Sequence, residues 1–195
     1  EASKTTSNYL DEMNKRMKLL GDDFKKVKDF GWSSHSSSIA QDEDCIELRN
    51  YVVDRSYDIL VRQGFDMKPF DLAISEFWVQ EFPRLGGGHH DTHFHYNNHI
   101  SGFYFLKCSE RTSKPVFHDP RPAALMSKLP FVNESMHTIA SDKITLNVKP
   151  GSLVIFNGYL PHQFTVDNGL DPFRFIHFNL QALPNNLRLE EKIHE

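Results

Sequence analysis

His89-His90-Asp91-Thr92-His93-Phe94-His95-Tyr96-Asn97-Asn98-His99, running at once into Ile100-Ser101-Gly102-Phe103-Tyr104-Phe105-Leu106, is the stretch on which the fold turns. Five histidines within eleven residues precede an extended apolar, aromatic segment of the kind that forms a strand. In extended chain alternate residues share a face, so His89, Asp91, His93 and His95 all point one way if residues 89–95 are strand. Two pairs on that face matter: His93 with His95, and the His-x-Asp pair His89 with Asp91. Neutral imidazole is the commonest protein ligand for a divalent metal. His162, 67 residues after His95, is the natural third ligand for either pair. It follows the turn Lys149-Pro150-Gly151, the buried-type run Ser152-Leu153-Val154-Ile155-Phe156 and the Gly158-Tyr159-Leu160-Pro161 loop. A ligand at a strand end, opposite a strand pair, is how a small β-sandwich holds a metal between its sheets. Three such ligands with open positions make a catalytic rather than a closed structural site.

Outward from this stretch the chain keeps a strand-like period. Leu72 to Phe82 mixes apolar, aromatic and polar residues, and Pro83 and the Gly86-Gly87-Gly88 triplet end it. Further strands are expected at 90–96, 100–107, 115–118, 143–148, 152–157, 162–166 and 173–181. Asp119-Pro120-Arg121-Pro122, Lys149-Pro150-Gly151 and Asp167-Asn168-Gly169 supply turn signals between them. Towards the N-terminus the period becomes helical. Leu10, Met13, Met17 and Leu20 mark a helix over 9–29, and Gly31 to Ser38 reads as a loop. A second helix is expected from Asp42 to Gln63, with acidic residues at its start, an Ile46, Val53, Leu60 stripe and Gly64 as its stop.

Two helices followed by about eight short strands is α+β, mainly β, with the strands in a sandwich or barrel. No domain boundary is expected within 1–195: a helical region over 1–70, a β core over 71–184 and a polar tail over 185–195.

Composition narrows the class. A net charge of -4, from 22 basic and 26 acidic residues, argues against nucleic-acid binding as the main activity. No apolar stretch approaches the roughly 20 residues of a membrane span. The polar start, Glu1-Ala2-Ser3-Lys4-Thr5-Thr6-Ser7-Asn8, has no signal-peptide pattern. Cys45 and Cys108 lack CxxC partners, so two reduced thiols in a cytoplasmic protein is the expectation.

A single histidine in a β protein is ordinarily a surface or satisfied core residue. That is the reading for His35, His118, His137, His177 and His194, and for His90 and His99, which fall out of phase or beyond the pair. A cluster of five is also compatible with an adventitious nickel- or zinc-binding surface.

Four segments in series add a resemblance. His93-Phe94-His95-Tyr96-Asn97-Asn98-His99-Ile100-Ser101-Gly102-Phe103-Tyr104-Phe105 is followed by Phe117-His118-Asp119-Pro120-Arg121, then by Lys149-Pro150-Gly151 to Phe156 with His162, then by Arg174-Phe175-Ile176-His177-Phe178-Asn179. Together, residues 77–180 resemble the 2-oxoglutarate/Fe(II)-dependent oxygenase superfamily. Within it they are similar to a small branch with a His-x-His segment, a Ser-Gly-x-Tyr-Tyr strand and a Phe-x-Asp-Pro-Arg element. The resemblance implies a double-stranded β-helix (jelly roll), with the N-terminal helices packed on one sheet.

It also implies cofactors and roles. Fe(II) would be held by His93, His95 and His162, with 2-oxoglutarate as cosubstrate and O2 as oxidant. The superfamily usually has His-x-Asp, and the Asp position falls on His95. Either three histidines bind the iron or a carboxylate comes from elsewhere, with Asp91 the nearest. Arg174, in an apolar strand, would pair with the far carboxylate of 2-oxoglutarate, because guanidinium forms bidentate bonds to carboxylates; an internal salt bridge to an Asp or Glu is the competing reading. Ile176 stands where many relatives have Ser, leaving Tyr104 as the hydroxyl for the cosubstrate. Asn179 would hold a ligand or substrate, or cap a backbone group. Asp119 and Arg121 would shape the site mouth or simply make a turn.

The activity implied is hydroxylation of a C–H bond through ferryl chemistry, on a small-molecule or peptide substrate. Two other classes remain open at this level. One is a three-histidine iron dioxygenase that does not use 2-oxoglutarate, in which Arg174 is dispensable or binds the substrate's own carboxylate. The other is a non-catalytic jelly-roll binding module. The residues do not name the substrate or the oligomeric state.

Overall fold

The computed structural model describes residues 33–121 and 129–186. The helix expected at 9–29 and nearly all of the tail lie outside these residues. In chain order the elements are β1 (Ser34–His35), a 3-10 turn (Glu43–Cys45), α1 (Ile46–Arg62), β2 (Phe70–Phe82), β3 (His90–His93), β4 (Ile100–Lys107), β5 (Pro115–His118), β6 (Lys143–Thr145), β7 (Leu153–Asn157), β8 (His162–Phe164) and β9 (Phe173–Pro184). The strands form a five-stranded sheet, order β1-β2-β9-β4-β7, and a four-stranded sheet, order β3-β8-β5-β6. Every pair is antiparallel. With β1 set aside, the eight remaining strands alternate between the sheets so that first pairs with last, second with next-to-last and so on. That order is the double-stranded β-helix itself.

Alternation along the strands builds two cores. Between the sheets, Phe82, Phe103, Phe105, Phe117, Phe156, Phe164, Phe173 and Phe175 pack together, several edge to face, as Phe82 on Phe164 at 5.9 Å and 87°. Burying each ring contributes on the order of 1.5–3 kcal/mol. On the outer face of the larger sheet, Phe77, Val79, Ile100, Ile176, Phe178 and Leu180 pack with Val52 and Leu60 of α1.

Asp42 caps the 3-10 turn that leads into the helix, accepting from the Asp44 N–H at 3.3 Å. The helix stops at Gly64, whose φ of +95° suits glycine. Its buried residues are Val52, Ser56 and Leu60, whereas Ile46 is 37% exposed. The stripe therefore runs one position away from the Ile46, Val53, Leu60 line at its start. The loop expected at 31–38 contains a short strand instead: Ser34 and His35 pair with Glu81 and Gln80 and extend the sheet edge.

Glycine is required where the motif has Ser101-Gly102. A Cβ on Gly102 would lie 2.2 Å from the Phe178 ring and 2.4 Å from the Val154 carbonyl oxygen, so only glycine lets β4 sit between β7 and β9.

Candidate metal centre

At one end of the sandwich, His93 closes β3, His95 lies two residues beyond, and His162 opens β8. His93 pairs directly with His162 across the ladder. One ring nitrogen of each of His93, His95 and His162 lies within 4.8 Å of the others. Ring centroids are 4.3 Å apart for His93–His162, 5.1 Å for His95–His162 and 5.2 Å for His93–His95. Two backbone hydrogen bonds hold the loops that carry the ligands together: the His95 N–H donates to the Gly158 carbonyl and the Gly158 N–H to the His99 carbonyl. A Cβ at Gly158 would lie 2.4 Å from the Asn98 carbonyl oxygen, so this latch also requires glycine.

Hydrogen bonding decides two of the three tautomers. The Nδ1 of His93 lies 2.6 Å from the Asp91 carbonyl and that of His162 lies 2.9 Å from the Leu160 carbonyl. A carbonyl only accepts, so each Nδ1 carries the proton and each Nε2 presents a lone pair. Burial does the rest. It holds His162 down to about 4. His95 is held at about 3 by burial first, then by the neighbouring imidazoles. At neutral pH both are uncharged, the state a metal requires.

Behind His95 stands a second group. Glu76 of β2 and His177 and Asn179 of β9 face the same interior, with donor atoms of Glu76, His95 and His177 within 4.8 Å. The Nε2 of His177 lies 3.3 Å from Glu76 Oε2. The Asn179 amide nitrogen donates to the same oxygen and lies 3.1 Å from Nδ1 of His95. The hydrogen bond from His177 holds the Glu76 carboxyl below its usual range, and burial pushes His177 down.

The structure sorts the remaining candidates by face. A bulge in β3 shifts the register between His90, opposite Phe164, and His93, opposite His162. Strict alternation fails there. His90 turns inward against Phe82 and Phe164 at 5.2 and 5.7 Å, while Asp91 is 98% exposed. The His89–Asp91 pair therefore lies off the site, and Asp91 is not poised to supply a carboxylate. His90 and His177, read as ordinary residues, both face the interior; Glu76 was not singled out at all.

Arg174 and Tyr104 go the other way. On β9, residues 173, 175, 177 and 179 face the interior; Arg174 shares the outer face with Ile176 and Phe178. It donates to Glu81 at 2.7 and 2.9 Å, with side chains 12% and 4% exposed. Tyr104, opposite Ile176, packs in the outer core. Neither residue reaches the three histidines, so the anchor roles expected of them are not supported by the geometry.

A family model described as "Putative 2OG-Fe(II) oxygenase" matches residues 76–179, just over half of the chain. The chain belongs to this 2OG-Fe(II) oxygenase family. No curated protein sequence matches it. Among solved structures it is similar to an oxidoreductase of the 2OG-Fe(II) oxygenase family from Burkholderia pseudomallei (9% identity, TM-score 0.46, covering 69% of this chain and 57% of that one). It is also similar to a Pseudomonas putida prolyl-4-hydroxylase (11%, 0.47, 76% and 70%). A third is a prolyl hydroxylase from Trichoplax adhaerens in complex with a hypoxia-inducible-factor peptide fragment (10%, 0.49, 76% and 62%). The chain spans under two thirds of the Burkholderia and Trichoplax proteins. At these TM-scores the likenesses carry no argument, and the jelly roll stands on the strand order itself.

The metal and cosubstrates of the 2OG-Fe(II) oxygenase family are Fe(II), 2-oxoglutarate and O2. The donor set fits the metal: imidazoles suit iron, and two of the three present Nε2 lone pairs fixed by hydrogen bonds at Nδ1. The inner face of β9 carries Phe173, Phe175, His177 and Asn179, with no Lys or Arg for the far carboxylate of 2-oxoglutarate. Arg121 and Lys143 line a surface pocket of about 280 Å³ that none of the three histidines lines; its wall includes Phe117, whose ring packs 5.8 Å from that of His162. There Asp119 accepts from Arg121 at 2.7 to 3.2 Å, and this pairing holds Asp119 at about 2.

Proposed function

We propose that the chain is an Fe(II)- and 2-oxoglutarate-dependent oxygenase that hydroxylates a C–H bond of a small-molecule or peptide substrate. The observation that carries this reading is the convergence of His93, His95 and His162, in a chain of this family, with two imidazoles locked in the ligating tautomer. Those three residues would hold the iron, which when bound supplies the redox chemistry of oxygen insertion. The chain's own residues supply the geometry. The Asp91 and Leu160 carbonyls fix ring orientation, which raises ligand basicity. Phe103, Phe117 and Phe156 pack around His162 at 5.7, 5.8 and 4.7 Å and keep water from its inner side. Three neutral imidazoles leave the metal's full charge, which favours an anionic chelating cosubstrate. With Arg174 turned away, we assign that anion to Arg121 and Lys143, at the pocket walled by Phe117 and Leu160, where Arg121 would exchange its partner Asp119 for the carboxylate.

A second reading is favoured by one observation. Arg174 is occupied by Glu81 on the far face, as a three-histidine dioxygenase that binds its substrate directly, without 2-oxoglutarate, would permit. Anaerobic calorimetry separates the two. 2-Oxoglutarate is titrated into the Fe(II)-loaded protein, its Arg121→Ala variant and its Arg174→Ala variant. Iron-dependent micromolar binding, weakened at least tenfold by Arg121→Ala and unchanged by Arg174→Ala, is expected. Iron binding without 2-oxoglutarate binding would replace the first reading by the second.

A further inference from the structure

Granting iron at the three histidines, as proposed above, we infer that Asn179 is the positioning residue that decides which nitrogen of His95 is available to the metal, with Glu76, itself held by His177, accepting from its amide in the metal-free arrangement. His93 and His162 each have a backbone carbonyl behind Nδ1. His95 has a side-chain amide there instead, the Asn179 group at 3.1 Å. Its ligating tautomer is therefore set by a group that can turn over.

The two orientations of that amide have opposite consequences. As arranged, the Asn179 N–H groups face Glu76 Oε2 and His95 Nδ1. An N–H at Nδ1 makes that nitrogen an acceptor and puts the His95 proton on Nε2. From there it donates to Nε2 of His162 at 3.3 Å. The result is one continuous chain: His177 to Glu76, Asn179 to Glu76 and His95, His95 to His162, His162 to the Leu160 carbonyl. It is self-consistent without metal and occludes two ligand lone pairs. Its defect is Asn179 Oδ1, a buried oxygen in a fully buried residue with no hydrogen-bond partner.

Ligation through Nε2 of His95 requires the reverse: a proton on Nδ1 and an acceptor to receive it. A half-turn of the Asn179 amide supplies that acceptor with the oxygen that is otherwise orphaned. It also ends the amide's donation to Glu76, sets the amide oxygen beside that carboxylate and moves the NH2 to the partnerless side, so the Glu76 side chain, 38% exposed, must turn away. A carboxylate, Glu76, thus stands two hydrogen bonds behind His95, through Asn179. The Glu76, His95 and His177 atoms lie close enough to hold an ion themselves. Yet the Asn179 amide fills the space between Glu76 Oε2 and His95 Nδ1. This group is therefore support for the metal centre and not a second one.

The test uses the described chain at full length, with Co(II) under anaerobic conditions for affinity and stoichiometry and Zn(II) as a diamagnetic load for 15N NMR of the imidazoles. Wild type should bind one equivalent, and the His95 proton should move from Nε2 to Nδ1 on loading. Asn179→Ala should weaken Co(II) binding about 10–100-fold, the usual cost of losing the partner of a ligating histidine. The exchange Glu76→Gln with Asn179→Asp restores an acceptor for Nδ1–H and a donor to hold it, and should return affinity to within a few-fold of wild type. The tautomer shift reports ligation through Nε2 of His95 and the affinities report the role of Asn179; if Asn179→Ala does not fold, the paired exchange decides, and a tenfold or greater loss of affinity there would overturn the inference. Unchanged affinity in a folded Asn179→Ala, a proton retained on Nε2 in the loaded protein, or a second equivalent lost with Glu76→Ala would each overturn the inference. Failure of wild type to bind any Co(II) that His93→Ala and His162→Ala abolish would instead bring down the three-histidine centre itself.

Discussion

The two faces of β9 hold the same strand to different tasks. Outward, Arg174, Ile176, Phe178 and Leu180 meet Glu81, Val79, Phe77 and α1; inward, Phe173, Phe175, His177 and Asn179 meet the other sheet and the back of the metal centre. The outer face carries a charge pair sealed in place, and the inner face carries neutral groups that exchange hydrogen bonds. A buried ion pair is rigid because breaking it strands a charge. Imidazoles and an amide around the single carboxylate of Glu76 are adjustable, because a tautomer or an amide can reverse without stranding a charge. Chemistry belongs on the second face, and anchorage of the sheet on the first.

The sharpest way to break this contrast is from the inner side. His162→Ala should abolish measurable Co(II) or Fe(II) binding in calorimetry while leaving the far-ultraviolet circular dichroism unchanged. Bound metal in that variant would remove the ligand assignment. From the outer side, Arg174→Ala leaves Glu81 buried and uncompensated and should cost about 3–5 kcal/mol in urea unfolding, with metal affinity of the folded protein within about threefold of wild type. A stable variant that had lost 2-oxoglutarate binding would put Arg174 back at the site.

The third prediction is a pH dependence belonging to the inner face alone. His95, His90 and His162 are held at about 3, 4 and 4, burial being the first cause in each. Free imidazole titrates near 6.5. Between that value and the depressed ones the unfolded chain binds protons that the folded chain refuses, so stability rises with pH across the window. The metal-free protein should be at full stability above about pH 6.5 and lose it progressively towards pH 4, and His90→Phe should flatten the melting-temperature profile. Smallest of all is Tyr104→Phe, expected within about 1 kcal/mol in stability and without effect on 2-oxoglutarate binding; a tenfold loss of that binding would show that the outer face takes part.

The same contrast explains what the sequence could and could not say. Strands were legible: 100–107 and 115–118 stand where their apolar runs put them, and of the two pairs that spacing left open, His93 with His95 is the one that converges with His162, as the resemblance implied. Phase was also readable in part. Arg174 and Asn179 are an odd number of positions apart, which in a regular strand means opposite faces, so no single interior could use both. Motif order drew them together; the period of two separates them. What the chain did not announce were the irregularities. The bulge in β3 that turns His90 inward and Asp91 out, and the one between Ile74 and Glu76 that pairs Glu76 with Asn179, insert a residue without a composition signal. Glu76 was invisible for a further reason: it lies more than a hundred residues from its partners His177 and Asn179, and only the pairing of the first long strand with the last joins them.

The latch at Gly158 has a consequence in time. It ties the turn after His95 to the turn before His162, and so joins segments made far apart during synthesis. A nascent chain that has emerged only as far as β6 carries two of the three imidazoles and neither the latch nor the strand that orients the third. Non-local pairings of this kind close late, since loop closure must precede the contacts that reward it. With His93, His95 and His162 as the proposed ligands, iron loading would be a completion step, open to the chain only once the sandwich has shut.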